Sequence, residues 1–120
     1  MTIRSTALAA PDSLDGIFAA LADGGRRSLV ERLAIGPASV TDLAVATEMR
    51  LPSAVKHLQV LERGGLVVSH KLGRTRTYRI APDAFAALRA WVGRREAEMN
   101  AAFDRLEALI QQTESEGTEP

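Results

Sequence analysis

Residues 39–80, SVTDLAVATEMRLPSAVKHLQVLERGGLVVSHKLGRTRTYRI, read as two short helices followed by a two-stranded ribbon. Ser39-Val40-Thr41-Asp42 opens the first helix: the Ser39 hydroxyl is placed to accept from the backbone N–H three residues on, and Asp42 to reach back to the N–H of Ser39. Val40, Leu43 and Ala44, with Thr47 at the end, form its inner side, and Glu48-Met49-Arg50 make the turn. The second helix starts near Leu51 with Pro52 in its first turn, where a missing N–H costs nothing. Leu51, Ala54, Leu58, Leu61 and then Leu66 supply an apolar stripe at helical spacing, and Gly64-Gly65 stops the helix. Two helices joined so tightly, the second with a polar outer face, predict a helix-turn-helix.

The phase of that second helix points to its chemistry. At about 100° per residue, Pro52, Ser53, Lys56, Gln59, Val60 and Arg63 turn away from the stripe, with Val55 and His57 on its flanks. A cationic, hydrogen-bonding helix face of this kind suits the major groove of duplex DNA, where Lys, Ser, Gln or His reach base edges or phosphates. Ser53, Lys56 and His57, with Gln59, are the candidates for groove contacts, and Arg50 and Arg63 for phosphate.

The ribbon extends the same reading. Leu66 to Lys71 and Thr75 to Ile80 are rich in β-branched and aromatic residues around Leu72-Gly73-Arg74, which predicts an antiparallel hairpin. Its tip carries Lys71, Arg74 and Arg76. A basic hairpin beside a helix-turn-helix is a wing suited to the DNA backbone or the minor groove. Protection of an edge strand by charge is the blander reading of the same residues, and the two are compatible.

Total charge conceals this segregation. The chain has 15 Lys and Arg against 15 Asp and Glu. Yet Arg50 to Arg79 holds Arg50, Lys56, Arg63, Lys71, Arg74, Arg76 and Arg79 against Glu62 alone, so the opposite excess falls on the remainder. A local field of one sign is what a nucleic-acid surface requires, whatever the net charge; a solvated basic surface is the alternative.

Composition excludes much else. At 120 residues and 46% hydrophobic, one domain is expected, small enough for a partner subunit to help bury apolar surface. The chain contains no cysteine, which rules out disulfides and thiolate chemistry. No apolar run approaches the ~20 residues of a membrane span, and the N-terminus lacks a secretory pattern, so a cytoplasmic protein is expected. No Ser/His/Asp order, glycine-rich phosphate cradle or HExxH occurs, and Glu96 and Glu98 beside Arg94 and Arg95 read as a solvated face. An enzyme is not expected.

The flanks complete the plan. Residues 1–11 are expected to be flexible, and Asp12 or Ser13 to cap a helix through Leu21 carrying Leu14, Ile17, Phe18 and Leu21. A break at Ala22 to Gly25 precedes a helix through Ala34 with Leu29, Val30 and Leu33 inside and Gly36-Pro37 as its stop. Arg26 and Arg27 sit at its start, where the helix dipole disfavours cations, and read as a solvated pair, with contact to an acidic neighbour or a phosphate as the alternative. From Pro82-Asp83 to Gln112 runs one long helix, on the order of 45 Å if straight. Its stripe of Phe85, Leu88, Trp91, Val92, Met99, Phe103, Leu106 and Ile110 exceeds what a small domain covers. A homodimer follows, with this helix and Leu14, Ile17 and Phe18 of the first as the interface. Residues 113–120 are expected to be a disordered tail.

Phe18 to Asp23 with Arg26-Arg27, Val40 to Ala44, Leu51 to Glu62, Gly65-Leu66-Val67, and Gly73-Arg74 to Tyr78 together resemble the bacterial ArsR-type winged-helix repressors, over about residues 12–110. The resemblance implies a dimeric transcriptional regulator, usually a repressor released by an effector. Metal-sensing members carry Cys-x-Cys where this chain has Ser39-Val40-Thr41, and others use histidines on the last helix, which here has none. With Trp91 there, the chain is similar to the non-metal branch. Arg50 replaces the family's usual capping serine, and Val55 another common serine.

The expectation is therefore a mainly α fold with a small β-hairpin wing, residues 12–112 forming a winged helix-turn-helix domain for DNA binding and dimerisation. It would act as a repressor on a pseudo-palindromic operator, without metal or cofactor. Two other readings fit the same residues: a sensor gated by a small molecule, and a winged-helix module that binds protein instead of DNA.

Overall fold

Capping and apolar phase explain each helix of the structure, a computed structural model that describes residues 14–117, with side chains through residue 115. The expected flexible segment 1–11 and the cap at Asp12 or Ser13 lie outside the described residues. Helix α1 (Leu14–Leu21) buries Ile17 and Ala20. Helix α2 (Gly24–Leu33) starts earlier than its glycines suggest, because Asp23 caps it by accepting from the Arg26 N–H at 3.1 Å. The expected break is therefore confined to Ala22-Asp23, and Gly24-Gly25 form the first turn. Leu29 and Leu33 are buried and Val30 half-buried.

Strand β1 (Ala38–Ser39) leads directly into helix α3 (Val40–Ala46), whose N-cap is Ser39: its Oγ accepts from the Asp42 N–H at 3.1 Å. The tight turn after α3 is a Schellman closure, with Met49 N–H bonded to Ala44 O and Glu48 N–H to Val45 O. Glu48 takes the left-handed conformation this demands, at φ 57°. Helix α4 (Leu51–Arg63) ends the same way: Leu66 N–H bonds Leu61 O, Gly65 N–H bonds Glu62 O, and Gly65 supplies φ 81°. Ala54, Leu58, Leu61 and Leu66 have no exposed surface. Leu51 departs from the expected stripe, with 47% of its surface exposed at the helix start.

Strands β2 (Val67–Leu72) and β3 (Thr75–Ile80) form the hairpin, in register from Val67 opposite Ile80 to Leu72 opposite Thr75. Gly73, at φ +64°, is the first of two turn residues, where a tight hairpin needs a positive φ. The ribbon has a third strand that the sequence did not suggest. β1 pairs antiparallel with β3, Ala38 opposite Tyr78, giving the order β1-β3-β2. Two residues are too few to display an alternating pattern. Burial, and secondarily the charge of Glu62, pushes the Tyr78 hydroxyl pKa up.

Ile17, Leu29, Leu43, Leu58, Leu61, Leu66 and Val67 are the largest fully buried side chains. Ile17 thus belongs to the protomer's own core, which corrects its assignment to an intersubunit face. Its neighbours differ: Leu14 is half-buried and Phe18 is 46% exposed.

Two compact units divide the chain between Ala87 and Leu88, where the sequence suggested one domain over 12–112. Helix α5 (Ala86–Gly117) begins later than expected because Pro82 to Phe85 form a turn, with Asp83 at φ 58°. It also continues past Gln112, so residues 113–117 of the expected tail are helical and 118–120 lie outside the described residues. Val92, Met99, Phe103, Leu106, Leu109 and Ile110 keep 39% to 59% of their surface exposed. Arg95, which interrupts this stripe, places its guanidinium 5.2 Å from the Trp91 ring centroid and pairs with Glu98 at 2.7 Å. That bond raises the Arg95 pKa and lowers that of Glu98.

Helices α1 and α4 approach closely at Gly64, where a Cβ would come within 2.9 Å of Gly16 O and 3.0 Å of Ala20 Cβ. Gly64→Ala is expected to destabilise the fold by about 1–3 kcal/mol through this overpacking. Gly36→Ala, with nothing within 4 Å of the new methyl, should leave the urea midpoint nearly unchanged.

Candidate nucleic-acid interface

Burying Ala54, Leu58 and Leu61 leaves Pro52, Ser53, Lys56, Gln59 and Arg63 exposed on the opposite side of α4, with Val55 and Val60 half-buried at its margins. The phase read from the sequence therefore holds for these five. Arg50, the N-cap residue, is exposed and makes no side-chain capping bond. Among the described residues, the side chains of Arg50, Lys56, Arg63, Lys71 and Arg74 have no hydrogen-bond or ion-pair partner. They are cations whose hydrogen-bonding capacity is unspent.

Arg76 differs from them. Its Nη1 donates to Ser69 Oγ at 2.9 Å, and Ser69 Oγ donates to Glu62 Oε2 at 3.0 Å. The chain Arg76–Ser69–Glu62 links β3 through β2 to the last turn of α4. It gives the lone acid of the basic segment a partner and fixes the wing against the helix. Across the ladder Arg76 faces Lys71, so two exposed cations stand side by side behind the turn that carries Arg74.

His57 lies on the flank of α4 beside α2, as its helical phase predicts. The side chain is 27% exposed, with Nε2 3.7 Å from Asp23 Oδ2 and Nδ1 3.4 Å from Arg26 Nη1. The ring sits at the junction of α2 and α4. The bond from the Arg26 N–H, the largest cause, holds the Asp23 carboxyl below its usual pKa.

Arg26 and Arg27, expected to be a solvated pair, cap the preceding helix. Arg26 Nε and Nη2 donate to Ala20 O and Ala19 O at 2.6 and 3.2 Å, and Arg27 Nη1 to Leu21 O at 2.7 Å. The carbonyl end of α1 is the negative pole that these cations need, and it outweighs the unfavourable dipole of their own helix. No local spacing in the sequence points from His57 to Asp23. Its spacing of three from Arg26 signalled a cap but not the distant ring.

Among the described residues no group of three or more His, Cys, Asp or Glu could hold a metal ion. No described helix is long and apolar enough to cross a membrane.

Comparison with known proteins agrees with this geometry. Residues 21–70 match a helix-turn-helix domain family. The HTH-type transcriptional regulator Rv2034 of Mycobacterium tuberculosis is 44% identical over 77 residues, or 64% of this chain and 72% of that protein. A crystal structure of an ArsR family transcriptional regulator superposes with a TM-score of 0.68 at 44% identity, over 72% of this chain and 96% of the other. The solution structure of the homodimeric winged helix-turn-helix DNA-binding domain Mb0332 from Mycobacterium bovis gives 0.60 at 38% identity, over 80% and 87%. Sharing sequence with these regulators across the helix pair, and their architecture across the wing, the chain belongs to the ArsR family of winged helix-turn-helix transcriptional regulators.

Proposed function

We propose that this regulator is a homodimeric repressor that binds a pseudo-palindromic operator, with α4 in the major groove and the β2–β3 wing on the flanking backbone. The observation that carries the reading is the set of exposed, unpartnered cations on α4 and the wing: Lys56 and Arg63 on the helix, Lys71 and Arg74 on the hairpin. Ser53, Lys56 and Gln59 read bases, Arg50 and Arg63 hold phosphate, and Arg74, with Arg76 braced beside it, follows the backbone.

The exposed apolar side of α5 supports dimerisation, as does the homodimeric relative from Mycobacterium bovis. Leu88, Trp91, Val92, Met99, Phe103, Leu106 and Ile110, with Leu14 and Phe18 of α1, meet the partner subunit in this reading. Two α4 helices about one duplex turn apart, roughly 34 Å, would then read two half-sites. Metal gating is not part of the proposal: Ser39 and Thr41 stand where metal-sensing members carry thiolates, and the Ser39 hydroxyl is already engaged as a helix cap. A cytoplasmic location follows from a role on DNA.

Fluorescence anisotropy with the duplex upstream of the protein's own gene, at two salt concentrations and with excess unrelated DNA, tests the central claim. Nanomolar-range binding that survives competition and weakens steeply with salt is expected, whereas no binding to this or any selected duplex would refute it. Lys56→Ala should cost about 1–3 kcal/mol and relax preference at one base pair. Arg74→Ala should weaken all sequences alike and reduce the salt slope by about one. Phe103→Glu should yield monomers in sedimentation equilibrium and abolish tight operator binding; an intact dimer would remove α5 from the interface.

A further inference from the structure

Where α1 ends and α2 begins, a polar niche contains groups that the DNA-facing surface does not use. The fork of Arg26 spends two nitrogens on α1, at Ala20 O and Ala19 O. Its third, Nη1, lies 3.4 Å from Nδ1 of His57 on α4. A guanidinium donates and cannot accept, so this contact needs an unprotonated Nδ1. The ring hydrogen then sits on Nε2, facing Asp23 Oδ2 at 3.7 Å. Gly25 makes the niche possible: a Cβ there would lie 3.0 Å from Asp23 Oδ2, 3.0 Å from Met49 Cε and 3.3 Å from His57 Nε2.

One guanidinium therefore ties the end of α1 to the middle of α4. Apolar packing at Ala54, Leu58 and Leu61 holds α4 against the core, but such packing is non-directional. Hydrogen bonds are directional. His57 is next to Lys56, so rotating α4 enough to slacken the Arg26 contact also swings Lys56 and Gln59.

We propose that Arg26 is a positioning residue that, acting through His57, sets the rotation at which α4 presents Ser53, Lys56 and Gln59 to DNA. The proposal rests on the DNA-binding reading above. The charged groups facing the ring are Asp23 and Arg26, at the start of α2; α1 contributes carbonyls through Arg26, and the α3–α4 turn contributes uncharged Met49.

The test compares the full chain with R26A, H57A, the double variant and H57N. Asparagine keeps an acceptor on Cγ, where Nδ1 stood. Backbone amide NMR spectra of the free proteins, thermal unfolding, and anisotropy with the duplex upstream of the gene are recorded for each. R26A is expected to shift the amides of residues 54–61 and weaken binding about tenfold, with the double variant no weaker than the singles. H57N should recover most of the affinity lost in H57A. If R26A does not fold, Arg26→Lys carries the comparison, since it keeps the charge but loses the fork.

Unmoved α4 amides in R26A would overturn the proposal whether or not any duplex binds. Additive losses, or a lowered unfolding temperature with unchanged affinity, would also overturn it by reducing Arg26 to a structural cap. Shifted amides in a protein that binds no duplex would support the tie between α1 and α4 and overturn the DNA-binding reading instead.

Discussion

Ala54, Leu58 and Leu61 are sealed from solvent on a helix that packs against α1, α2, α3 and β2, and this seam determines what the rest of the winged-helix unit can do. A fully buried leucine contributes about 1.5–3 kcal/mol relative to an exposed one. A helix has a single phase, so committing three positions to the core commits those opposite to water. Leu66 prolongs the seam beyond the helix through the Schellman turn, and Val67 carries it into the sheet, so α4 and the wing share one anchorage. Shifting the helix by one residue would expose leucine and bury lysine, which leaves little room for an alternative register.

Arginine serves two different ends here, decided by what surrounds each side chain. Arg26 and Arg27 sit on the carbonyl end of α1, and Arg32 Nη1 donates to Gly36 O at 3.2 Å beyond the end of α2. These cations satisfy backbone groups that helix ends leave open. Arg50, Arg63 and Arg74 have no such partner among the described residues, and with the lysines they make a positive surface on a chain whose net charge is zero. Glu62 lowers that field locally, but its carboxylate is engaged by Ser69. With all acids but Glu62 lying outside residues 50–79, a chain of zero net charge can present a strongly basic face.

The elements most legible in the sequence are those whose signals are local. The stripe from Ala54 to Leu66, the double glycine after it, and the β-branched runs around Gly73 each specify their own structure within a few residues. Elements settled by distant partners were hidden. β1 exists because β3 pairs with it, and its two residues carry no pattern. His57 faces inward because Asp23 and Arg26 lie on another helix, and its flank position alone could not decide between core and groove. Leu51 obeys the heptad-like spacing of its helix, yet it precedes the packed turns and remains half in water. At α5, polar residues 113–117 continue the helix without contributing to its stripe, so periodicity could not locate the end. The positive φ of Asp83 likewise delayed the start in a way that Pro82 alone did not reveal.

Ser53, Lys56 and Gln59 stand exposed on α4, without a bond to any other described side chain, while the residues that hold the helix occupy its other face. Exchanging such surface residues alters stability by only about ±0.5 kcal/mol. In the proposed DNA-binding reading, target preference and foldability are therefore written on separate positions of one helix. A lineage carrying this scaffold can explore new operators through single substitutions without first acquiring compensating changes in the core, and duplicated copies can diverge in what they read while remaining the same fold.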